Sequence, residues 1–245
     1  QKRREAAQML VRAAAQLDSL RRNSGVTVIL GLEPEPGAAL ETGTEACNFL
    51  EQVLLPVASA CNHALDRETV LRHIGLCIDL AHAAVMDESV LHLAAQCRRR
   101  NIRIAKLHIS AALSFRPLRS ALEQLHRLAD PIYLHQVRAW RPDGSILAWP
   151  DLPDALHDPH LAECTQARVH FHVPLNWQGT DALRPVAGLP SREIVQAALA
   201  AGCRHFEVET YTYSVLPSEL RPPSPLAAAA AELRKAFHHL RRCCD

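Results

Sequence analysis

The run His73-Ile74-Gly75-Leu76-Cys77-Ile78-Asp79 decides how the chain reads. It is too short for a core helix and too apolar for a half-exposed strand. It therefore predicts a strand buried on both faces. It ends on a carboxylate, and Leu80-Ala81-His82 follows at once. Four other segments have the same character: residues 26–33, 102–109, 168–173 and 205–210. Helical periodicity fills the intervals. The pattern predicts helices over 2–22, stopped by Gly25, over 42–55, a short one opened by Asp66, one over 87–100 capped by Asp87, one over 191–201 capped by Ser191, and one over 226–242. Strand alternating with helix predicts an α/β fold with a parallel sheet. No G-x-G-x-x-G or P-loop follows a strand, which favours a (β/α)8 TIM barrel over a doubly wound nucleotide-binding sheet. Only residues 131–149 break the rhythm. Arg141-Pro142-Asp143-Gly144 lies between two strand-like runs there, and predicts a hairpin inserted into a single domain spanning 1–245.

The chemistry lies at the strand ends. Side chains alternate along a strand, so Glu33 and Glu35 share a face, as do Lys106 and His108, His170 and His172, and Glu207 and Glu209. Asp79 shares one with Gly75 and Cys77. A buried carboxylate without a partner costs several kcal/mol. So many can be sustained only where they meet one another, a cation or water. In a barrel the C-terminal strand ends converge on one mouth. Mixed carboxylate and imidazole donors suit Zn²⁺, Mn²⁺, Fe²⁺ or Co²⁺ better than Ca²⁺. A single strand-end acid is ordinarily an ion-pair or capping partner. His63, His126, His157, His160, His238 and His239 fall in helices or loops and read as background. The coincidence over five strands is what points to a shared site. Lys106 reads either as an anchor for a substrate phosphate or carboxylate, or as a cation that neutralises the acids in place of a metal.

Composition narrows the classes. A length of 245 residues suits one or two domains. The 27 basic and 26 acidic residues leave a net charge of +1, which gives no electrostatic case for nucleic acid or an anionic membrane as partner. No apolar run reaches the roughly 18 residues that span a bilayer, and the Ala-rich run 226–233 contains Glu232. Eight cysteines without a C-x-x-C pair predict reduced, buried thiols in a cytoplasmic protein. The only lysines are Lys2, Lys106 and Lys235, an arginine bias that suggests a high-GC bacterial gene. The chain opens at Gln1, already inside a helical pattern and with no signal segment, which predicts an N-terminally incomplete sequence.

These strand ends resemble the xylose isomerase-like TIM-barrel superfamily, which contains sugar isomerases and epimerases and the endonuclease IV type of repair enzyme. The resemblance is carried by Leu32-Glu33-Pro34, Ile78-Asp79-Leu80-Ala81-His82, Leu107-His108-Ile109, His170-Phe171-His172 and Glu209-Thr210. Within that superfamily, several segments together resemble the EboE-type metabolite traffic family encoded in bacterial Ebo operons. They are Gly31-Leu-Glu-Pro-Glu-Pro-Gly37, Tyr133-Leu-His-Gln-Val137, Asp151-Leu-Pro-Asp-Ala-Leu156, Val169-His-Phe-His-Val-Pro174, Glu207-Val-Glu-Thr-Tyr-Thr-Tyr213 and Val215-Leu-Pro217. The chain departs from that family at His108, where Gln is usual, and from the endonuclease branch at His170, where Asp stands.

The resemblance implies that the five strands are strands four to eight of the barrel. It implies a divalent metal (Zn, Mn or Fe) on Glu33, Asp79, His108, His172 and Glu209. Glu33 and Glu209 would also exchange a substrate proton, with Lys106 as a further catalytic group, while His82, His170, Glu35 and Glu207 would contact substrate. Three functions follow: a metal-dependent sugar or sugar-phosphate isomerase or epimerase, a metal-dependent phosphodiesterase, or a non-catalytic metabolite-binding protein. The implied partners are a small-molecule metabolite and other Ebo operon proteins, with no nucleic acid and no membrane insertion.

Overall fold

Helix α1 (Lys2–Ser24) stops where Gly25 turns left-handed at φ 73° and its N–H returns to Arg21 O. Strand β1 (Leu30–Leu32) follows. Thr42 caps α2 (Gly43–Phe49), which runs through a π-helical turn, Leu50–Leu54, into α3 (Leu55–Ala60). Pro56, at the second position of α3, has no N–H for the turn before it, and the widened turn absorbs that loss. Asp66 caps α4 (Arg67–His73), which passes directly into β2 (Ile74–Asp79). Asp79 caps α5 (Leu80–Val85), and Ser89 caps α6 (Val90–Arg99). Strands β3 (Ile104–Ile109) and β4 (Ala111–Phe115) are separated by Ser110 alone. The remaining elements are α7 (Arg119–Leu128), β5 (Val137–Trp140), β6 (Ile146–Trp149), α8 (Leu152–His157), a 3₁₀ turn Pro159–Glu163, β7 (Gln166–Val169), β8 (Leu183–Ala187), α9 (Arg192–Ala200), β9 (Phe206–Val208) and α10 (Pro225–Cys244). This computed structural model describes residues 1–60, 65–129, 131–210, 213 and 221–244.

The fold is mixed α/β with two sheets. One is parallel, in the order β1-β2-β3-β9, and the other is antiparallel, in the order β6-β5-β7-β4-β8. Every residue of β2 is buried, as its apolar sequence predicts. A register shift between Leu76 and Cys77 sets the site. Leu76 pairs with Ile104 but Cys77 with Lys106, so Asp79 lies beside His108 and not beside Leu107. Gly75 makes the close approach that this pairing needs, since a Cβ there would lie 2.5 Å from Arg103 O. The short helix α5 is wedged between the sheets, touching β2 and β3 on one side and β4, β7 and β8 on the other. One continuous core joins both sheets, from Ala7 and Val11 of α1 to Ala236 of α10.

Several expectations need correction. The segment 168–173 does not extend the parallel sheet. Only Gln166–Val169 is a strand, and it runs antiparallel between β5 and β4, so β9 pairs directly with β3. The reason is visible in its pattern. Ala167 and Val169 are buried while Arg168 and Gln166 are not, which is the alternation of an antiparallel strand and not the two-sided burial of a parallel one. Arg168 Nη1 bonds Asp87 at 2.9 Å, and its guanidinium covers the Trp140 ring at 4.8 Å. Strands β4 and β8 were not foreseen. Asp87 does not cap α6: it sits in the left-handed region at φ 55°, and Ser89 caps instead. The first strand is shorter than 26–33, and His73 closes α4. The hairpin forms between β5 and β6, closed by Arg141 N to Ser145 O at 2.9 Å. Six of the described cysteines are buried and Cys244 is exposed. Cys61, His63, Tyr211-Thr212 and Val215-Leu-Pro217 lie outside the described residues.

Candidate metal centre

Asp79 does two jobs. Its Oδ1 accepts from His82 N at 2.8 Å, capping α5, while Oδ2 accepts from Ser110 Oγ at 2.7 Å. Ser110 Oγ in turn accepts from Ala81 N at 2.9 Å. The capping bond fixes the carboxylate and orients α5, so His82 projects back over the strand ends. His108, brought alongside by the register shift, completes the lateral pair.

Four donors converge here: Glu33, Asp79, His108 and Glu209 each offer an atom within 4.8 Å of the others. His108 Nδ1 touches Glu209 Oε2 and lies 3.2 Å from Glu33 Oε1 and 3.5 Å from Asp79 Oδ2. Yet His108 Nδ1 and Glu209 Oε2 are both buried without an aligned hydrogen bond. His108 Nε2 lies 3.5 Å from Cys77 Sγ. With the proton on Nε2 alone, the Nδ1 lone pair faces three carboxylates. A proton on Nδ1 or a bound cation reconciles that arrangement. Burial alone would lower His108, but Asp79, Cys77, Glu209 and Glu33 together push it far above the usual histidine range. Burial would raise Asp79, but His108, His82, His172 and Ser110 hold it below the usual carboxylate range. Glu209 is also held low, chiefly by His108 against the opposing effect of burial.

A second cluster adjoins the first. His82 Nε2 and His172 Nε2 lie 2.9 and 3.0 Å from His170 Nε2. The opposite nitrogens each face an oxygen: His82 Nδ1 faces Pro34 O at 3.0 Å, His170 Nδ1 faces Gln136 Oε1 at 2.7 Å, and His172 Nδ1 faces Glu209 O at 3.1 Å. Carbonyl oxygens only accept, so they place the ring protons on Nδ1. Three Nε2 lone pairs then point at one another. Burial and the neighbouring imidazoles hold His170 well below the usual histidine range, and burial lowers His172 too, so protons are poor fillers of that space. Two imidazole nitrogens on one tetrahedral zinc stand ~3.3 Å apart, given Zn–N of about 2.05 Å. The two observed spacings, 2.9 and 3.0 Å, are shorter than that and equally suit N–H···N hydrogen bonds. The clusters share neighbours: His82 Nε2 lies 3.9 Å from Asp79 Oδ1, and His82 Nδ1 lies 3.6 Å from Glu33 Oε1. The donor set and its orphaned atoms could hold a divalent metal ion.

Of the residues singled out from sequence, Glu33, Asp79, His82, His108, His170, His172 and Glu209 come together. Glu35 stands at the edge, its Oε1 3.7 Å from His170 Nδ1. Lys106 and Glu207 lie at the flank of the cluster. They pair with each other at 2.7 Å, and Glu207 Oε2 also lies 4.0 Å from His108 Nε2, so Lys106 neutralises Glu207 and not the four converging donors. The described background histidines stay apart. His157 bonds Pro153 O, His160 bonds Asp158, and His239 bonds Pro190 O. Sequence reasoning missed Cys77, Ser110 and Gln136, and missed His135, which is fully buried with Nδ1 3.0 Å from His170 O. The last two sit in Tyr133-Leu-His-Gln-Val137, a segment singled out for resemblance alone. No protein-family model, curated protein or solved structure matches this chain. Among the described residues, no helix is long and apolar enough to cross a membrane.

Proposed function

We propose that this chain is an EboE-type metabolite-tailoring protein on a xylose isomerase-like (β/α)8 plan, acting as a metal-dependent isomerase or epimerase on a small metabolite. One observation carries the reading: donors far apart in sequence meet at the C-terminal ends of β2, β3 and β9 with buried atoms left unsatisfied. Glu33, Asp79, His108 and Glu209 would hold one divalent ion and His82, His170 and His172 another. A bound ion supplies Lewis-acid polarisation of a carbonyl.

The chain's own residues do the rest. Glu33 and Glu209 line a cavity of about 450 Å³ whose wall also includes His82 and His170. Glu209, ionised at neutral pH as an ordinary carboxylate, is the proton acceptor. It removes a proton from the carbon beside a carbonyl and, with Glu33, returns one. Asp79, anchored by one hydrogen bond to each oxygen from His82 N and Ser110 Oγ, stays a fixed anion and does not shuttle protons. The test is proton exchange in deuterium oxide, with metal-loaded protein and a panel of ketoses and α-hydroxy ketones. Deuterium should enter beside the carbonyl of at least one compound, and Glu209→Gln should abolish it. Binding without exchange would make this a metabolite-binding protein instead. The three-histidine cluster also suits a phosphodiesterase with several metals, a reading that release of phosphate from a phosphodiester would support.

A further inference from the structure

The walls of the cavity over the metal centre describe what enters it. Three carboxylates face it, Glu33, Glu35 and Glu209, and one side is formed by Ile132, Tyr133 and Leu134. Among the described residues no lysine or arginine lines it. Lys106 is held by Glu207 and opens on a neighbouring cavity with Gly31 and Cys77. Arg138 is held by Glu41. Counting Asp79 beneath, four carboxylates outweigh one divalent ion by two charges and merely balance two ions. A phosphate dianion brought to this mouth meets Glu35 and finds no side-chain cation to offset it. The apolar side is equally telling. Ile132 and Leu134 are 66% and 63% exposed, large aliphatic side chains standing at the mouth of a polar site. Covering them with an apolar group is favourable, and Tyr133 between them adds a ring face.

Building on the metal-centre reading, we propose that the substrate is a non-phosphorylated metabolite with chelating oxygens at one end and an apolar group at the other. The oxygens face the carboxylate–imidazole cluster, and the apolar group rests on Ile132, Tyr133 and Leu134. Glu35 acts as the element that rejects phosphate and other dianions.

The test is calorimetric titration of the zinc-loaded full chain with acetohydroxamate, benzohydroxamate and phenyl phosphate. Benzohydroxamate should bind about tenfold tighter than acetohydroxamate. In an Ile132→Ser, Leu134→Ser double variant that ratio should fall towards one while acetohydroxamate binding is kept. Phenyl phosphate should bind at least about tenfold more weakly than benzohydroxamate and should gain affinity in Glu35→Gln. Phenyl phosphate binding as tightly as benzohydroxamate, or a phenyl preference that the double variant leaves untouched, overturns the inference while the metal centre stands. Failure of the chain to take up zinc overturns the metal centre, and this inference with it.

Discussion

Gln136 shows how a single side chain supports the centre without belonging to it. Its Oε1 lies 2.7 Å from His170 Nδ1 and so fixes which ring nitrogen presents a lone pair. Gln136→Leu keeps the bulk and removes the acceptor. It should weaken zinc binding about 10- to 100-fold in a chelator competition, and unchanged affinity would show that His170 needs no such orientation. Glu232 makes a different residue-scale point. It stands on the buried face of α10, where Oε1 accepts from Leu175 N at 2.6 Å and Thr210 Oγ1 at 3.1 Å. Burial raises its pKa despite those bonds. The folded state therefore disfavours the ionised form, and the penalty grows as pH rises from the unfolded value through the folded one. Glu232→Gln should raise the melting temperature at pH 7. That advantage should vanish as pH falls below the unfolded value near 4.3, where Glu232 is protonated in both states. A variant equally stabilised at both pH values would contradict this account. Most residue identities at the centre were legible in the sequence, because Glu33, His108 and Glu209 lie at or just past the C-terminal ends of short strands, whereas His172 reaches the centre from the irregular segment after β7. The supporting residues were not legible, because a glutamine or a serine carries no signal until its partner is known.

At the scale of elements, the parallel sheet was readable wherever both faces are buried, as in β2, and the caps Thr42, Asp66 and Ser191 marked their helices directly. The antiparallel sheet was legible only as the hairpin β5–β6. Its other strands have weak patterns, and their pairing is long-range: Val169 meets both Leu113 and Val137. Arg168 was the available clue, since a charged residue sits badly in a strand buried on both sides. Two substitutions probe these elements. Ser191→Ala removes the oxygen that accepts from Ile194 N and should cost about 1 kcal/mol. Gly75→Ala drives a Cβ against Arg103 O and should cost about 1–3 kcal/mol. It should also loosen metal binding, because it disturbs the register that sets Asp79 beside His108. Urea denaturation reads the stabilities, and a neutral Gly75→Ala would refute the close approach.

The molecule combines a parallel arc and an antiparallel sheet sharing one core, with α5 and the donors that could hold a metal at their junction. Among the described residues β1 pairs only with β2, and Leu30 is 41% exposed on that edge. Exposed apolar edges recruit other strands. Leu30→Lys should reduce concentration-dependent light scattering, and unchanged scattering would show the edge to be inert. The central claim is that this junction holds divalent metal. Its most direct measurement is elemental analysis of the full chain after zinc loading and desalting, alongside Asp79→Asn and His170→Ala. We predict about two zinc ions per wild-type chain and a lower content in each variant, with far-ultraviolet circular dichroism unchanged. Wild-type protein that retains no zinc, or variants that retain as much as wild type, would contradict it.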